Sequence, residues 1–283
     1  MPDMPTIVLT IAGFDPSSGA GVTADIKTIA AHGCYGVACI TAMTVQSTAG
    51  VRRVDPCDPA LVTDTLEELA SDIKIDAVHI GMLGSGKVAK SVAGFLGRKK
   101  LPNVVLDPIL KASSGADLLD KEGTRVLSSE LLPLAAVVTP NVAEAAVLTG
   151  LPVTNPEQMR SAAVKLHEMG AESVVITGGD LEKAIDLLSF QTKRGVQQEV
   201  FKSERQRSNS THGTGCAFAT AMACHLGLDR GLPEAVLLAK AYVSAAIAKG
   251  QPLGKGVGPV HHLYRMQQQR RAGTVVTEAE PVH

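Results

Sequence analysis

The sequence predicts an α/β chain built on a three-layer, doubly wound, mostly parallel sheet with a small antiparallel edge, and three observations carry that expectation. Short β-branched runs alternate with longer amphipathic stretches along most of the 283 residues, the pattern of repeated βα units. Hydrophobic residues make up 45% of the chain, yet only five Phe, three Tyr and no Trp are present, so Ala, Val, Ile and Leu must build the core. Small aliphatics together with 27 glycines suit parallel strands buried on both faces. At this size roughly three quarters of the unfolded surface is buried on folding. One domain over residues 1–264 is therefore expected.

Taken in order, Thr6-Ile7-Val8-Leu9-Thr10-Ile11 is an apolar strand ending at Ala12-Gly13, followed by a glycine-rich turn over Pro16 to Gly21. Val22, Ile26, Ile29 and Ala30 recur at helical spacing, so Val22 to His32 is a helix stopped by Gly33. Gly36 to Gln46 returns to a strand pattern. Further strands are expected at Asp76 to Gly81, Asn103 to Asp107, Ala135 to Thr139 and Ser173 to Thr177, interleaved with helices such as Pro59 to Ser71 and Pro156 to Met169. Lys183 to Phe190 and Gly195 to Phe201 form two strands across a turn, the antiparallel edge. Two helices, Thr214 to Gly227 and Pro233 to Lys249, close the fold. After Tyr264 the composition shifts to Gln267-Gln268-Gln269-Arg270-Arg271, and residues 265–283 are expected to be a disordered polar tail.

Charge and cysteine usage narrow the function. Twenty-seven basic residues against 28 acidic ones give a net charge of −1, which argues against a basic nucleic-acid module, and the shortage of aromatic rings argues against base stacking. Five cysteines, with no Cys-x-x-Cys and no zinc-type spacing, suit a reduced, cytoplasmic protein. No basic n-region with an apolar stretch opens the chain, and no apolar run is long enough to cross a bilayer. A soluble protein is the expectation.

Four segments carry candidate chemistry. Gly81-Met82-Leu83-Gly84-Ser85-Gly86-Lys87-Val88 fits a phosphate-loop pattern, but Val88 stands where a magnesium-binding hydroxyl is needed. A strand end followed by a helix start is the simpler reading. Thr211-His212-Gly213-Thr214-Gly215-Cys216-Ala217-Phe218 leads glycines directly into a helix, whose unpaired amides form an anion cradle; the same field would lower the thiol pKa of Cys216. An ordinary turn with a buried cysteine explains the octapeptide equally well. In Thr139-Pro140-Asn141-Val142-Ala143-Glu144 the Asn141 and Glu144 side chains share one face of a first helical turn. They suit either a magnesium site or a capping box. Asp107-Pro108, at a strand end, is either a turn aspartate or a ligand to metal-bound water.

These segments, with Ile11-Ala12-Gly13-Phe14-Asp15-Pro16-Ser17-Ser18-Gly19-Ala20-Gly21, Asp25-Ile26-Lys27-Thr28 and Thr41-Ala42-Met43-Thr44-Val45-Gln46, resemble the hydroxymethylpyrimidine/phosphomethylpyrimidine kinases of thiamin biosynthesis, in the ribokinase-like superfamily. The resemblance runs from Thr10 to His262. It implies ATP-dependent phosphorylation of 4-amino-5-hydroxymethyl-2-methylpyrimidine and of its monophosphate, magnesium as cofactor, a homodimer, and no nucleic-acid or membrane partner. It further implies that Gly13, Asp25, Gln46, Met82 and Ile109 surround the aminopyrimidine, with Asp25 and Gln46 meeting its polar edge and Met82 and Ile109 its faces. Asn141 and Glu144 would attend ATP-bound magnesium, directly or through water, with Asp107 nearby. Amides at Gly213, Thr214, Gly215 and Cys216 would receive the charge of the transferred phosphoryl group. Cys216 stands where related sugar kinases carry an aspartate base. Since phosphoryl transfer is loose, the anion hole outranks base catalysis.

Two features depart from the family pattern. Thr177-Gly178-Gly179-Asp180 replaces the usual Lys-Gly-Gly-His, so the lysine that meets the ATP phosphates must be supplied elsewhere, with Lys240 and Lys255 as candidates. Phe14 and Ser18 replace smaller residues in the first loop. A branch of pyridoxal kinases shares the Gly-Thr-Gly-Cys motif and is the nearest alternative; a pyrimidine-binding sensor without efficient transfer is a more distant one.

Overall fold

The computed structural model describes residues 4–112, 114–179, 181, 185–202 and 208–266. The strands are β1 (Ile7–Phe14), β2 (Tyr35–Ser47), β3 (Gly50–Pro56), β4 (Ala77–Ile80), β5 (Val104–Leu106), β6 (Val137–Val138), β7 (Ser173–Gly178), β8 (Ile185–Thr192) and β9 (Gly195–Lys202). They form one nine-stranded sheet in the order β3-β2-β1-β4-β5-β6-β7-β8-β9. From β2 to β7 all neighbours run parallel, while β3, β8 and β9 pair antiparallel. The switch point of the order lies beside β1, where chains of this topology open a crevice at the carboxy ends of the strands.

Period-two alternation divides the strands between two cores. Leu9, Ile11, Val78, Ile80, Val104, Leu106, Val138, Val174 and Ile176 face one core; their neighbours Val8, Ala77, Val105, Val137 and Val175 face the other. The first is covered by α2 (Pro59–Asp72), α3 (Gly86–Lys99), α4 (Lys121–Val126), α5 (Val142–Thr149) and α6 (Pro156–Glu168). The second is covered by α1 (Gly21–Ala31), α7 (Thr214–Gly227) and α8 (Leu232–Ala248). Helix α7 is buried along almost its whole length. Its run of alanines lets it lie close to the sheet, in contact with β1, β4 and β5, and this places its first turn over the strand ends.

The sequence expectation holds for the three layers but misses β3, α4 and the short helical turns Leu127–Leu131 and Leu132–Leu134 that continue α4. Strand β3, a hairpin partner of β2, reads as a polar loop because Arg52, Arg53 and Asp55 face solvent, so no apolar alternation marks it. The short α4 carries Gly123 packed against Leu119, and its glycine hides the helical period. The antiparallel edge is therefore double, β3 on one side and β8–β9 on the other. Lys183, placed at the start of an expected strand, lies outside the described residues, as do Asp180 and residues 267–283 of the expected tail. Among the described residues no helix is long and apolar enough to cross a membrane.

Candidate active site

A cleft of about 2060 Å³ lies over the carboxy ends of β1, β4, β5, β6 and β7, and is lined by all but one of the substrate and magnesium candidates. The first loop forms one rim. Asp15 Oδ1 accepts from Ser17 N (2.8 Å) and Ser17 Oγ (2.7 Å), while Oδ2 accepts from Ala20 N (2.9 Å) and from His212 Nε2 (2.9 Å). Burial opposes ionisation of Asp15, but the hydrogen bonds from His212 and Ser17 outweigh it and hold the carboxyl below its ordinary range. The carboxylate thus ties the β1–α1 loop to the segment that leads into α7. Gly213, at the start of that helix, has φ +81°, and a Cβ there would sit 1.8 Å from Gly19 O, so only glycine lets the two loops meet.

The apolar wall follows from equally close packing. Met82, just past β4, is 7% exposed, and its sulfur lies 2.8 Å from where a Cβ on Gly13 would stand. Glycine at position 13 therefore makes room for the methionine. Thr41 Oγ1 donates to Met82 O at 2.5 Å, and Ile109 packs in the same small cluster with Ala42, Leu118, Val51 and Val54. Gln46 reaches the cleft from β2, at an irregularity of the β2–β3 pairing between Val45 and Gln46; such bulges redirect side chains.

Acidic groups line the same cleft. Asp107, 5% exposed, follows β5, and its Oδ2 lies 3.8 Å from where a Cβ on Gly215 would stand, at the opening turn of α7. Burial, and then the charges of Glu144 and Asp25, push the Asp107 carboxyl well above its ordinary range. Asn141 and Glu144 form a complete capping box: Asn141 Oδ1 accepts from Glu144 N and Glu144 Oε2 accepts from Asn141 N, both at 2.9 Å. Both residues also line the cleft, so capping and a ligand role are not alternatives here. Among the described residues no three His, Cys, Asp or Glu side chains converge to hold a metal by themselves.

The pattern of the phosphomethylpyrimidine kinase family matches residues 15–261 of this sequence. The chain belongs to that family. The hydroxymethylpyrimidine/phosphomethylpyrimidine kinase of Salmonella typhimurium is 42% identical over 259 residues, covering 90% of this chain and 97% of the relative. A thiamine biosynthesis bifunctional protein, ThiED of Geobacter sulfurreducens, is 43% identical over 265 residues, covering 93% of this chain and 53% of the larger protein. Among solved structures, Bacillus subtilis pyridoxal kinase in an ADP complex superposes with a TM-score of 0.84 at 35% identity, over 94% of this chain and 100% of that one. The ribokinase-like fold expected from the sequence is shared with these kinases.

Within this phosphomethylpyrimidine kinase family member, three expectations need correction. Asp25 does not reach the cleft: it is fully buried, with Thr10 Oγ1 donating to Oδ2 (2.7 Å), Thr220 Oγ1 donating to Oδ1 (2.8 Å) and His79 Nδ1 at 3.3 Å. Its place on the inward face of α1 makes it a buried polar hub beneath the site. For Cys216, open between a thiolate and a buried thiol, the helix-start field that would lower its thiol pKa does not prevail. Burial, followed by the charges of Asp107 and Asp25, pushes the thiol well above its ordinary range despite a hydrogen bond with the Gly21 backbone. The helix start is present, but nearby carboxylates oppose its field. Lys255 is exposed and does not line the cleft, because its loop packs on Thr48.

Lys240, by contrast, points from α8 into the cleft and is ion-paired with Asp186 of β8. Asp186 Oδ1 accepts from Gly178 N at 3.1 Å, beside Thr177, whose amide donates to Pro140 O at 2.9 Å. A cation thus stands near the position where the usual lysine is absent. The phosphate-loop decoy resolves as its simpler reading: Ser85 caps α3 by accepting from Val88 N at 3.4 Å, and Lys87 does not line the cleft. Asp15, His212 and Asp186 also line the cleft, beyond the candidates the sequence marks. The first two lie inside the first-loop and α7-start motifs, whereas only the register of β8 against β7 delivers Asp186.

Proposed function

We propose that this chain transfers the γ-phosphoryl group of ATP to the hydroxymethyl arm of 4-amino-5-hydroxymethyl-2-methylpyrimidine, and then to the resulting monophosphate. The observation that carries the reading is the cleft itself, which brings the Met82 and Ile109 wall, Gln46, the α7 start, Asp107 and Glu144 around one space. A flat ring fits the apolar wall, and Gln46 supplies a donor and an acceptor for its polar edge.

The residues present suit magnesium-bound ATP. Burial, and then the negative charge of Glu144 and Asp25, push the Asp107 carboxyl above its ordinary range, and a divalent cation would relieve the charge part of that cost. Because only a few oxygen ligands are offered, magnesium would keep several waters. When bound, it would neutralise phosphate oxygens and align the transferred group. Lys240 reaches toward the phosphates in place of the lysine missing at Thr177. The amides of Gly213, Gly215 and Cys216 at the opening of α7 receive charge on the transferred oxygens, whereas the Thr214 amide, expected to join them, already donates to Thr211 O at 3.2 Å. Cys216 contributes a neutral, packed thiol next to that cradle. In the second round the monophosphate oxygen takes the place of the hydroxyl as nucleophile.

Assembly as a cytoplasmic homodimer belongs to the same reading and rests on the family resemblance; sedimentation velocity checks it. A second reading, pyridoxal phosphorylation, is favoured by the superposition on a pyridoxal kinase. Phosphorus NMR of the protein with ATP, magnesium and the pyrimidine alcohol should show the monophosphate and then the diphosphate. Faster turnover of pyridoxal would favour the second reading. Calorimetric binding of the pyrimidine with no ATP consumed would leave a sensor.

A further inference from the structure

Contacts around Gln46 determine which way its carboxamide faces. One end of the amide, Nε2, lies 3.3 Å from His212 Nε2, and the other, Oε1, lies 3.2 Å from Thr44 Oγ1. His212 Nε2 is also 2.9 Å from Asp15 Oδ2, and Thr44 Oγ1 donates to Phe14 O at 2.9 Å. An ionised carboxylate only accepts hydrogen bonds, and the Asp15 carboxyl is held below its ordinary range, so His212 Nε2 carries a hydrogen. The Thr44 hydroxyl has one hydrogen, and Phe14 O takes it. The single His212 Nε2 hydrogen is directed at Asp15 Oδ2, so toward Gln46 His212 presents the positive side of a shared N–H group, and Thr44 presents an acceptor.

In the orientation just described, an amide N–H would meet the imidazole N–H, and the amide carbonyl would meet a hydroxyl lone pair. A half-turn about the last bond of Gln46 makes the Thr44 contact a hydrogen bond and sets the carbonyl, in place of an N–H, against the N–H that His212 shares with Asp15. The terminal O and N of an amide are assigned from their network, and here both neighbours ask for the same choice. Nε2 donates to Thr44 Oγ1, and Oε1 takes the weaker share of a His212 Nε2–H whose main acceptor is Asp15 Oδ2. His212 itself has little freedom: its amide donates to Gly258 O at 3.0 Å, and its ring Cδ2 lies 2.2 Å from where a Cβ on Gly19 would stand. Asp15 is fixed by Ser17 and Ala20 as described above.

We propose that Asp15, His212 and Thr44 are positioning residues that lock the Gln46 carboxamide, so that the cleft presents one N–H and one carbonyl lone pair in fixed order and selects a ring whose polar edge runs in the matching direction. An unlocked amide would turn to suit either order at little cost. The lock therefore converts a permissive contact into a discriminating one. This inference rests on the pyrimidine reading above. Two rings of the same shape separate the cases: the 4-amino pyrimidine alcohol offers a ring-nitrogen acceptor beside an amine donor, whereas its 4-oxo counterpart offers a ring N–H donor beside a carbonyl acceptor.

The test compares kcat/KM for these two alcohols. The wild-type protein should favour the amino ring by about a hundredfold, the discrimination typical of a two-point hydrogen-bonded pair. In His212→Leu the ratio should fall to about threefold or less, because the amide can then turn to meet either ring. A general loss of structure would instead lower both values together. Thr44→Val, which keeps the side-chain shape and removes only the second anchor, should lower the ratio in the same direction by a smaller factor, and it serves should His212→Leu fail to fold. Folded variants with the wild-type ratio would overturn the lock. A wild-type protein that phosphorylates neither pyrimidine would instead overturn the functional reading on which it rests.

Discussion

Thr220 Oγ1 of α7 donates to Asp25 Oδ1 of α1 at 2.8 Å, joining two helices whose opening loops meet at Gly19 and Gly213 although the two residues lie 195 positions apart in the chain. With Thr10 and His79 on the other carboxylate oxygen, the bond makes Asp25 a fixed post under the site. A residue whose oxygens are so engaged holds the floor of the cleft and leaves recognition of the ring to Gln46.

Asp25→Asn should therefore act on stability first. An amide cannot accept from both threonines and His79 at once, and a mismatched buried polar group costs ~1–3 kcal/mol, equivalent to about 2–4 °C in Tm per kcal/mol at this size. Thermal melting should show that loss while KM for the pyrimidine changes little. A large rise in KM with unchanged Tm would return Asp25 to the binding site.

Cys216→Ala should lower kcat by about tenfold or less, below the ~10²–10⁴ expected for removal of a general base. KM for ATP should stay within about twofold, which would place the effect on the transferring group. Alkylation of Cys216 should be slow at neutral pH and accelerate only above the ordinary thiol range, as read by mass spectrometry of the labelled peptide.

Asp107 gives stability a pH dependence of definite sign. Its folded-state pKa is raised above the unfolded value, so the native state binds the extra proton; stability is greatest below the ordinary aspartate range and declines as pH rises through the folded value. In metal-free protein at neutral pH, Asp107→Asn should melt higher than wild type, with the gap closing toward acid pH. Magnesium with ATP should raise the Tm of wild type more than that of the variant. Calorimetry across pH checks both.

Glu144→Gln separates capping from metal use. Glutamine at this position preserves the capping box, so Tm should change by no more than ~0.5 kcal/mol equivalent. The magnesium concentration for half-maximal rate should rise roughly 10- to 100-fold, as for outer-sphere ligands generally. Unchanged magnesium dependence would leave Glu144 as a cap alone.

Lys240→Met should reduce kcat/KM for ATP on the order of a hundredfold, or ~3 kcal/mol of transition-state stabilisation. Thr177→Lys in the Lys240→Met background should recover at least about tenfold of it, since the new cation would stand beside Asp186 from the β7 side. Steady-state kinetics of the single and double variants decide the matter.

Local chemistry wrote much of this protein into its sequence. The short continuous apolar runs of β1, β4, β5 and β7 set the parallel sheet, glycines marked the first loop and the start of α7, and Asn141 with Glu144 announced a helix start, because each signal depends on neighbours a few residues apart. Tertiary packing decided the rest. Whether Asp25 faced substrate or core depended on Thr220, whether Cys216 ionised depended on Asp107 lying beside its helix, and the partner of Lys240 came from the register of β8. The order of donor and acceptor on Gln46 depended on His212 and Asp15, the latter pair 197 residues apart. Charge, burial and hydrogen-bond direction are properties of what surrounds a side chain, and folding alone assembles those surroundings.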